Sequence, residues 1–208
     1  MSFLKRLFNR NSESTSLGTS QSICPYCNQA LEPKPKRKKK CPHCNGTIYV
    51  SKGNLLTEEE NFISAWVHRL EGYGITLKQF QVERQKLSKQ FGSQASPNDT
   101  VWRILNTLVT KDAGTAYYLM AALAREENKS PTPYLAESTK QSLLNYKKSG
   151  VVTQVKAMSA NDNSVCPSCK AMAGKVFSID QALRDMPIPH KCTSDYGCRC
   201  GYSAEIGR

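Results

Sequence analysis

Two short segments, Cys24-Pro25-Tyr26-Cys27 and Cys41-Pro42-His43-Cys44, lie thirteen residues apart near the start of a chain of 208 residues. A Cys-x-x-Cys turn directs two sulfur atoms toward one point, and Zn²⁺ prefers four soft ligands arranged as a tetrahedron. A redox role would require a thioredoxin-like βαβ pattern around the cysteines, and no such pattern is visible in the sequence. The spacing therefore predicts a structural zinc site with four ligands: Cys24, Cys27, Cys41 and Cys44.

Residues 23–53 resemble a zinc ribbon. Their two Cys-Pro-x-Cys segments are followed at residues 47–50 by a short stretch, rich in β-branched and aromatic side chains, that is typical of a strand. The resemblance implies that the residues between the two segments form a loop whose ends are held by the metal.

This loop contains six basic residues within a run of seven: Lys34, Lys36, Arg37, Lys38, Lys39 and Lys40. Because a concentrated positive field attracts phosphate groups, the run is a candidate nucleic-acid-binding surface with little sequence specificity. The run is equally consistent with a solubilising loop whose charges offset those of the nearby thiolates. Base-stacking aromatic residues are sparse, with Tyr26 and Tyr49 the nearby candidates.

The ribbon lies between a polar lead and a helical region. Residues 1–22 are rich in Ser, Thr and Asn after a short basic and apolar opening, which predicts a flexible lead. Residues 54–150 carry apolar side chains at helical spacing, with a capping signal formed by Thr57 and Glu60 at the start and Gly150 at the end. We predict that residues 54–150 form a module of about five helices.

A second group of cysteines lies in residues 151–208, where a strand and a short helix are also predicted. Cys166 and Cys169 form a further Cys-Pro-x-Cys segment. Two more ligands are expected from four candidates: His190, Cys192, Cys198 and Cys200. We expect Cys192 and Cys198 to complete the site, with His190 and Cys200 as alternates, and a structural rather than catalytic role because ligands are in surplus.

Residues 160–202 resemble the C-terminal cysteine motif of phage head-morphogenesis, or minor head, proteins. The residues that fit the motif are Asp162, Val165, Cys166, Cys169, Gly174, Lys175, Val176, Phe177, His190, Cys198, Arg199 and Cys200. The chain departs from the motif by inserting residues, including Cys192, between His190 and Cys198. The resemblance implies a metal-binding module and a role in a phage or prophage particle.

The composition narrows the class of protein further. The chain has 29 Lys and Arg against 17 Asp and Glu, and residues 1–53 hold ten of these basic and two of these acidic residues. Cysteines at close spacing indicate metal thiolates in a reducing compartment, so we expect a cytoplasmic protein. No apolar stretch reaches the length of a membrane span, and we expect no stable membrane anchoring.

Together these patterns predict a small α+β protein in which a zinc ribbon, a helical middle and a C-terminal strand-plus-helix zinc-binding module follow one another, with two Zn²⁺ sites. No catalytic constellation or small-molecule substrate site is evident. We therefore expect a non-enzymatic adaptor that binds nucleic acid or a protein partner. Two alternatives are a structural component of a phage or prophage particle and a metal-dependent nuclease that uses His190 with Asp162 or Asp195.

Overall fold

A computed structural model describes residues 16–160, 162–163, 165–189, 192–194 and 197–205 of the chain. These residues form seven α-helices and two small antiparallel sheets of three strands each. The predicted small α+β class is therefore confirmed. Within the same described residues, no helix is both long enough and apolar enough to cross a membrane.

The elements follow one another in a simple order along the chain. The strands are β1 (Lys39–Lys40), β2 (Thr47–Ser51), β3 (Asn54–Leu56), β4 (Gln154–Met158), β5 (Val176–Ser178) and β6 (Gly201–Glu205). The helices are α1 (Glu58–Leu70), α2 (Leu77–Phe91), α3 (Pro97–Leu108), α4 (Ala113–Glu126), α5 (Thr132–Ser149), α6 (Pro167–Met172) and α7 (Ile179–Asp185). A 3₁₀ turn, Glu71–Tyr73, joins α1 to α2.

The sequence predicts about five helices in the middle region and one short helix after it, and the described residues form seven, with α1 to α5 in the middle region. The helix α7 corresponds to the short C-terminal helix expected from the sequence. The helix α6 was not predicted, because its six residues are too few to display an apolar repeat of 3.6 residues.

Side-chain caps fix where the helices begin. At the start of α1, the Glu60 backbone N–H donates to Thr57 Oγ1 over 3.2 Å, and the Thr57 N–H donates to Glu60 Oε2 over 2.8 Å. Thr76 and Gln79 form the same reciprocal cap at α2. Such a capping box satisfies two backbone donors that helix geometry leaves without partners. At the other end of the module, Gly150 closes α5 with a φ of 72°.

The chain divides after Val101 into two compact units. In the first unit the strand order is β1-β2-β3, and α1 packs against β2 and β3. Ile48 and Leu55 of the sheet belong to one buried cluster with Cys24, Leu31 and Cys41. Trp66 of α1 and Phe80 of α2 are buried as well.

The last residues of the predicted flexible lead contact this sheet. Thr19 pairs with Leu55 of β3 through two backbone hydrogen bonds of 3.0 and 2.8 Å. The side-chain amide of Asn54 also donates to the Leu17 carbonyl over 3.1 Å. Residues 17–19 thus extend the edge of the sheet at β3, while residues 1–15 lie outside the described part of the chain.

In the second unit α5 is the central element, because it contacts α4, α7 and β6. The strand order is β5-β4-β6, with β4 in the middle. Leu143 of α5 packs into one buried cluster with Val155 of β4 and with Ile179 and Ala182 of α7. One helix therefore joins the helical part of this unit to its sheet.

We expect the substitution Leu143→Ala to lower the free energy of unfolding by about 2–5 kcal/mol, because it empties space in a fully buried cluster. The neighbouring Leu144 is 39% exposed, so Leu144→Ala is a matched control with an expected loss below about 1 kcal/mol. Urea unfolding followed by circular dichroism measures both values. Equal losses for the two variants would contradict the central role of α5.

Candidate metal centres and candidate nucleic-acid interface

The first two Cys-Pro-x-Cys segments bring four sulfur atoms to one point. The Sγ atoms of Cys24, Cys27, Cys41 and Cys44 all lie within 4.8 Å of one another. The Cys24–Cys44 distance is 3.7 Å and the Cys27–Cys41 distance is 3.8 Å. A tetrahedral ion with metal–sulfur bonds of about 2.3 Å requires sulfur–sulfur distances of about 3.8 Å. This group could therefore hold a metal ion, as the resemblance to a zinc ribbon implies.

All nine cysteines of the chain lie among the described residues, and none of them forms a disulfide bond there. The sulfur–sulfur distances above greatly exceed the roughly 2.05 Å of a disulfide bond. The first cysteine group is therefore a set of four separate sulfur donors, which is the chemistry that Zn²⁺ and other soft divalent ions select.

Backbone amides point at the sulfur atoms in the same way in both segments. The Tyr26 N–H donates to Cys24 Sγ over 3.4 Å, and the His43 N–H donates to Cys41 Sγ over 3.4 Å. Such hydrogen bonds stabilise a thiolate and orient it toward a bound ion. The side chain of His43 is exposed, and the four cysteines already supply the ligands of a tetrahedral site.

Each segment ends at an asparagine that closes the turn. Asn28 and Asn45 both adopt a φ of 60°, and their N–H groups donate to the carbonyls of Cys24 and Cys41 over 2.9 Å. Asparagine is one of the few residues other than glycine that visits this left-handed region readily. The repeated pattern Cys-Pro-x-Cys-Asn carries this signal in the sequence, and our sequence analysis missed it.

Burial and hydrogen bonding shift the thiol pKa values of the first group in opposite directions. Burial raises the pKa of Cys24 to about 12. Burial also acts to raise the pKa of Cys41, but donation from the backbone amides of Cys44 and His43 outweighs it and lowers that pKa to about 6. Because a metal binds thiolates, filling the site from this state releases protons.

Tyr26 connects the first cysteine group to helix α1. Its hydroxyl donates to the Thr47 carbonyl over 3.0 Å and accepts from the Glu58 N–H over 2.8 Å. A Cβ atom at Gly46 would lie 2.7 Å from the Tyr26 ring, so the ring packs directly on the backbone that follows the second segment. The sequence offered Tyr26 as a base-stacking candidate, whereas its hydroxyl has a structural role here.

The six basic residues of the run fall into two classes: Lys34 hydrogen-bonds to the backbone, and the other five side chains face solvent. Lys34 Nζ donates to the carbonyls of Ser20 and Gly53, both over 2.7 Å. It therefore ties the loop to the chain on either side. Lys36, Arg37, Lys38, Lys39 and Lys40 are all exposed. The last two form β1 and pair with β2 at Ile48 and Thr47.

The second cysteine group contains five sulfur atoms in two overlapping sets of three. Cys166, Cys169 and Cys192 lie mutually within 4.8 Å, and so do Cys169, Cys198 and Cys200. Cys166, Cys169 and Cys198 are buried, while Cys192 and Cys200 are partly exposed. These thiols could hold a second metal ion. The alternate ligand His190 lies outside the described residues, as does Asp195 of the nuclease hypothesis.

Helix α6 begins within the second group. Cys166 is its N-terminal cap, and the Cys169 N–H donates to Cys166 Sγ over 3.4 Å. Burial, as the largest cause, raises the pKa values of Cys169 and Cys192, and it raises that of Cys200 to about 11. These three thiols therefore favour the protonated form at neutral pH, and a metal must displace their protons to bind them.

An ion pair joins the two chain segments that carry these cysteines. The guanidinium of Arg199, which lies between Cys198 and Cys200, donates to both carboxylate oxygens of Asp162 over 2.7 Å. Bidentate pairs of this kind fix orientation as well as distance. Both residues belong to the motif identified in the sequence, but the sequence did not show why the motif contains them. The ion pair gives each of them a structural role.

The loop before Cys198 packs on the start of α5. Gly197 has a φ of 77°, and a Cβ atom there would lie 2.9 Å from Pro131 Cγ. Any other residue would therefore meet both backbone strain and a steric clash. Gly197, the last residue of the insertion that departs from the phage motif, thus lies against the start of α5.

Comparison with known protein families, curated proteins and solved structures found no match to this chain. The resemblance to phage head-morphogenesis proteins accordingly rests on the motif residues alone. The structure establishes a small α+β protein with two cysteine groups, of four and five thiols, each able to hold a metal ion.

We expect Tyr26→Phe to lower the free energy of unfolding of the metal-loaded protein by about 1–3 kcal/mol, because one hydroxyl serves two backbone groups. Tyr118→Phe is the matched control, since Tyr118 is 57% exposed on α4. Chemical denaturation at fixed zinc concentration measures both. A Tyr26→Phe variant as stable as the control would show that the hydroxyl contributes nothing.

We expect Asp162→Asn to weaken metal retention in the second cysteine group by about 10-fold, because the pair that orients Cys198 and Cys200 is lost. Competition with a chromophoric chelator reports each metal equivalent as a separate phase, and only one phase should change. Asp185→Asn, which breaks an exposed pair with Arg184, is the control. A change in both phases, or in neither, would contradict this role.

Proposed function

We propose that the chain is a non-enzymatic zinc-binding adaptor that attaches to nucleic acid through the exposed cations of its first unit. The observation that carries this proposal is a run of five consecutive exposed cations, Lys36 to Lys40, immediately before the metal-ligand candidate Cys41. Contacts with the phosphate backbone dominate the affinity of most nucleic-acid-binding proteins, and a fixed cluster of cations can make such contacts.

The cations are held in place from both ends. At one end Lys34 bonds two backbone carbonyls, and Pro35 beside it is buried. At the other end β1 pairs with β2 and leads directly into the first cysteine group. Holding like charges together costs free energy, so a loop that fixes five of them is preorganised for an anionic partner.

Few acidic groups compete for these charges. None of the five residues Lys36 to Lys40 forms an ion pair within the described part of the chain. Lys38 instead lies over the ring of Tyr49, with its Nζ 4.7 Å from the ring centroid. A cation on an aromatic face keeps its charge available to a phosphate, so this contact positions the ammonium without neutralising it.

Recognition of particular bases is not expected. Tyr49 has its ring face covered by Lys38, and the hydroxyl of Tyr26 is bonded to the protein. Phosphate contacts position a protein on nucleic acid but carry no sequence information. The proposed partner is therefore any nucleic acid with an exposed phosphate backbone, and the affinity should depend little on the base sequence.

The test replaces Lys36, Arg37, Lys38, Lys39 and Lys40 with Gln and measures fluorescence anisotropy of labelled single- and double-stranded oligonucleotides across a salt series. Each lost phosphate contact reduces the slope of log K against log salt by about 0.7–0.9, so the loss of five contacts should reduce the slope by about 3.5–4.5. Affinity at low salt should fall by at least about 10-fold.

A matched control removes the same charge from scattered exposed positions: Lys78, Lys89, Lys111, Lys148 and Lys175. If the basic loop is the binding surface, this control should retain most of the affinity and the salt slope. Equal losses in the two variants would indicate a net-charge effect, and binding by neither variant nor parent protein would reject the nucleic-acid half of the proposal. Pull-down experiments for a protein partner would then follow.

Two further functions are supported by the sequence alone. A role in a phage or prophage particle follows from the motif of residues 160–202, and gene neighbours that encode portal and capsid proteins would favour it. A metal-dependent nuclease would be indicated by plasmid cleavage that disappears in a His190→Ala variant. The soft sulfur donors around the second group disfavour the hard Mg²⁺ site that such a nuclease generally uses.

A further inference from the structure

The five thiols of the second cysteine group do not converge on one point. They form two sets of three, and within each set all sulfur atoms lie within 4.8 Å of one another: Cys166, Cys169 and Cys192 in one set, and Cys169, Cys198 and Cys200 in the other. Cys169 belongs to both sets. In the first cysteine group, by contrast, four sulfur atoms form a single set. The two groups therefore differ in geometry as well as in the number of thiols.

The distances within each set match those between sulfur atoms that share an ion. Cys192 Sγ lies 3.6 Å from Cys166 Sγ and 3.7 Å from Cys169 Sγ. In the other set, Cys198 Sγ lies 4.0 Å from Cys169 Sγ. Sulfur atoms bound to one zinc ion at about 2.3 Å are about 3.8 Å apart. Each set of three can therefore form one face of a tetrahedron and supply three of the four ligands of an ion.

We propose that the second cysteine group binds two Zn²⁺ ions and that the Cys169 thiolate bridges them. Cys166 and Cys192 bind one of the ions, and Cys198 and Cys200 bind the other. This proposal rests on the metal-binding part of the proposed function and is independent of nucleic-acid binding. It replaces the sequence-based expectation of one ion with four thiolates, because among the described residues no set of sulfur atoms within 4.8 Å contains both Cys166 and Cys198.

Charge favours two ions over one for these five thiols. One Zn²⁺ ion with five thiolates would carry a net charge of −3, whereas two Zn²⁺ ions with five thiolates carry a net charge of −1. Uncompensated charge is costly in a buried site, and Cys166, Cys169 and Cys198 are buried. The nearby guanidinium of Arg199 is already paired with Asp162. A second ion is therefore the group that best balances the fifth thiolate.

Each set leaves one position for a ligand other than sulfur. Cys192 in one set and Cys200 in the other are partly exposed. Thiols of both sets also line one small cavity, together with polar residues that include Ser194. Water can therefore reach both sets and complete the four-ligand shell that zinc prefers.

The test begins with the zinc content of the full-length protein after gel filtration removes unbound ions. The parent protein should hold three ions per chain, one in the first group and two in the second. Cys192→Ala and Cys200→Ala should each hold two, because each variant removes a ligand of only one ion. Cys44→Ala, the matched control in the first group, should also hold two. Circular dichroism of the zinc-loaded proteins checks that each variant is folded.

Substitution by an NMR-active cadmium isotope shows whether two ions share a sulfur atom, because cadmium nuclei joined through one thiolate split each other's resonances. The parent protein should give one unsplit resonance and two mutually split resonances. Cys44→Ala should lose the unsplit resonance and keep the split pair. Cys192→Ala, Cys200→Ala and Cys169→Ala should each lose the splitting.

The ion count and the splitting together decide between the possible outcomes. Two ions per parent chain without a split pair would overturn this proposal and leave one ion in each cysteine group. Three ions without a split pair would overturn it as well, since Cys169 would then bridge nothing. A parent protein that holds no ion would contradict the metal-binding part of the proposed function. A protein with three ions and a split pair that fails to bind oligonucleotides would contradict only the nucleic-acid part.

Discussion

The convergence of four sulfur atoms from Cys24, Cys27, Cys41 and Cys44 is the constraint on which the first unit depends. The strands there are two to five residues long, and so small a sheet is marginal by itself. A structural zinc ion contributes on the order of 10 kcal/mol of apparent binding free energy, which exceeds the usual net stability of a small domain. Tyr26 links the cysteine group to α1, because its hydroxyl accepts a hydrogen bond from the first backbone N–H of that helix.

The second unit is organised differently, around the helix α5 rather than around a cysteine group. Its C-terminal half packs Leu143 against the sheet and α7, and its N-terminal end receives Gly197 of the cysteine-bearing loop. The thiols of the second group come from three separate stretches of chain, around residues 166–169, 192 and 198–200. The tertiary structure of the unit therefore brings together thiols that are far apart in the sequence.

How far the sequence predicted these features depends on how local each one is. Capping by Thr57 with Glu60, and the two Cys-Pro-x-Cys turns, are specified within a few residues, and sequence analysis found them. The clamp by Lys34 joins the carbonyls of Ser20 and Gly53, which lie 14 and 19 residues away. The pair of Asp162 and Arg199 spans 37 residues. Such contacts have no periodic signature, so a pattern in the sequence can mark the residues without revealing that they meet.

The difference in locality also separates the behaviour of the two cysteine groups. In the first group each turn orients its own sulfur atoms through a backbone N–H hydrogen bond to Cys24 or Cys41. An ion would therefore need only to hold the two turns together, which closes the single loop between them. In the second group the fold itself brings together five thiols from distant parts of the chain. An ion bound to the first group would therefore act mainly on the stability of the first unit and on the placement of the basic loop. An ion bound to the second group would meet thiols that the fold has already placed close together.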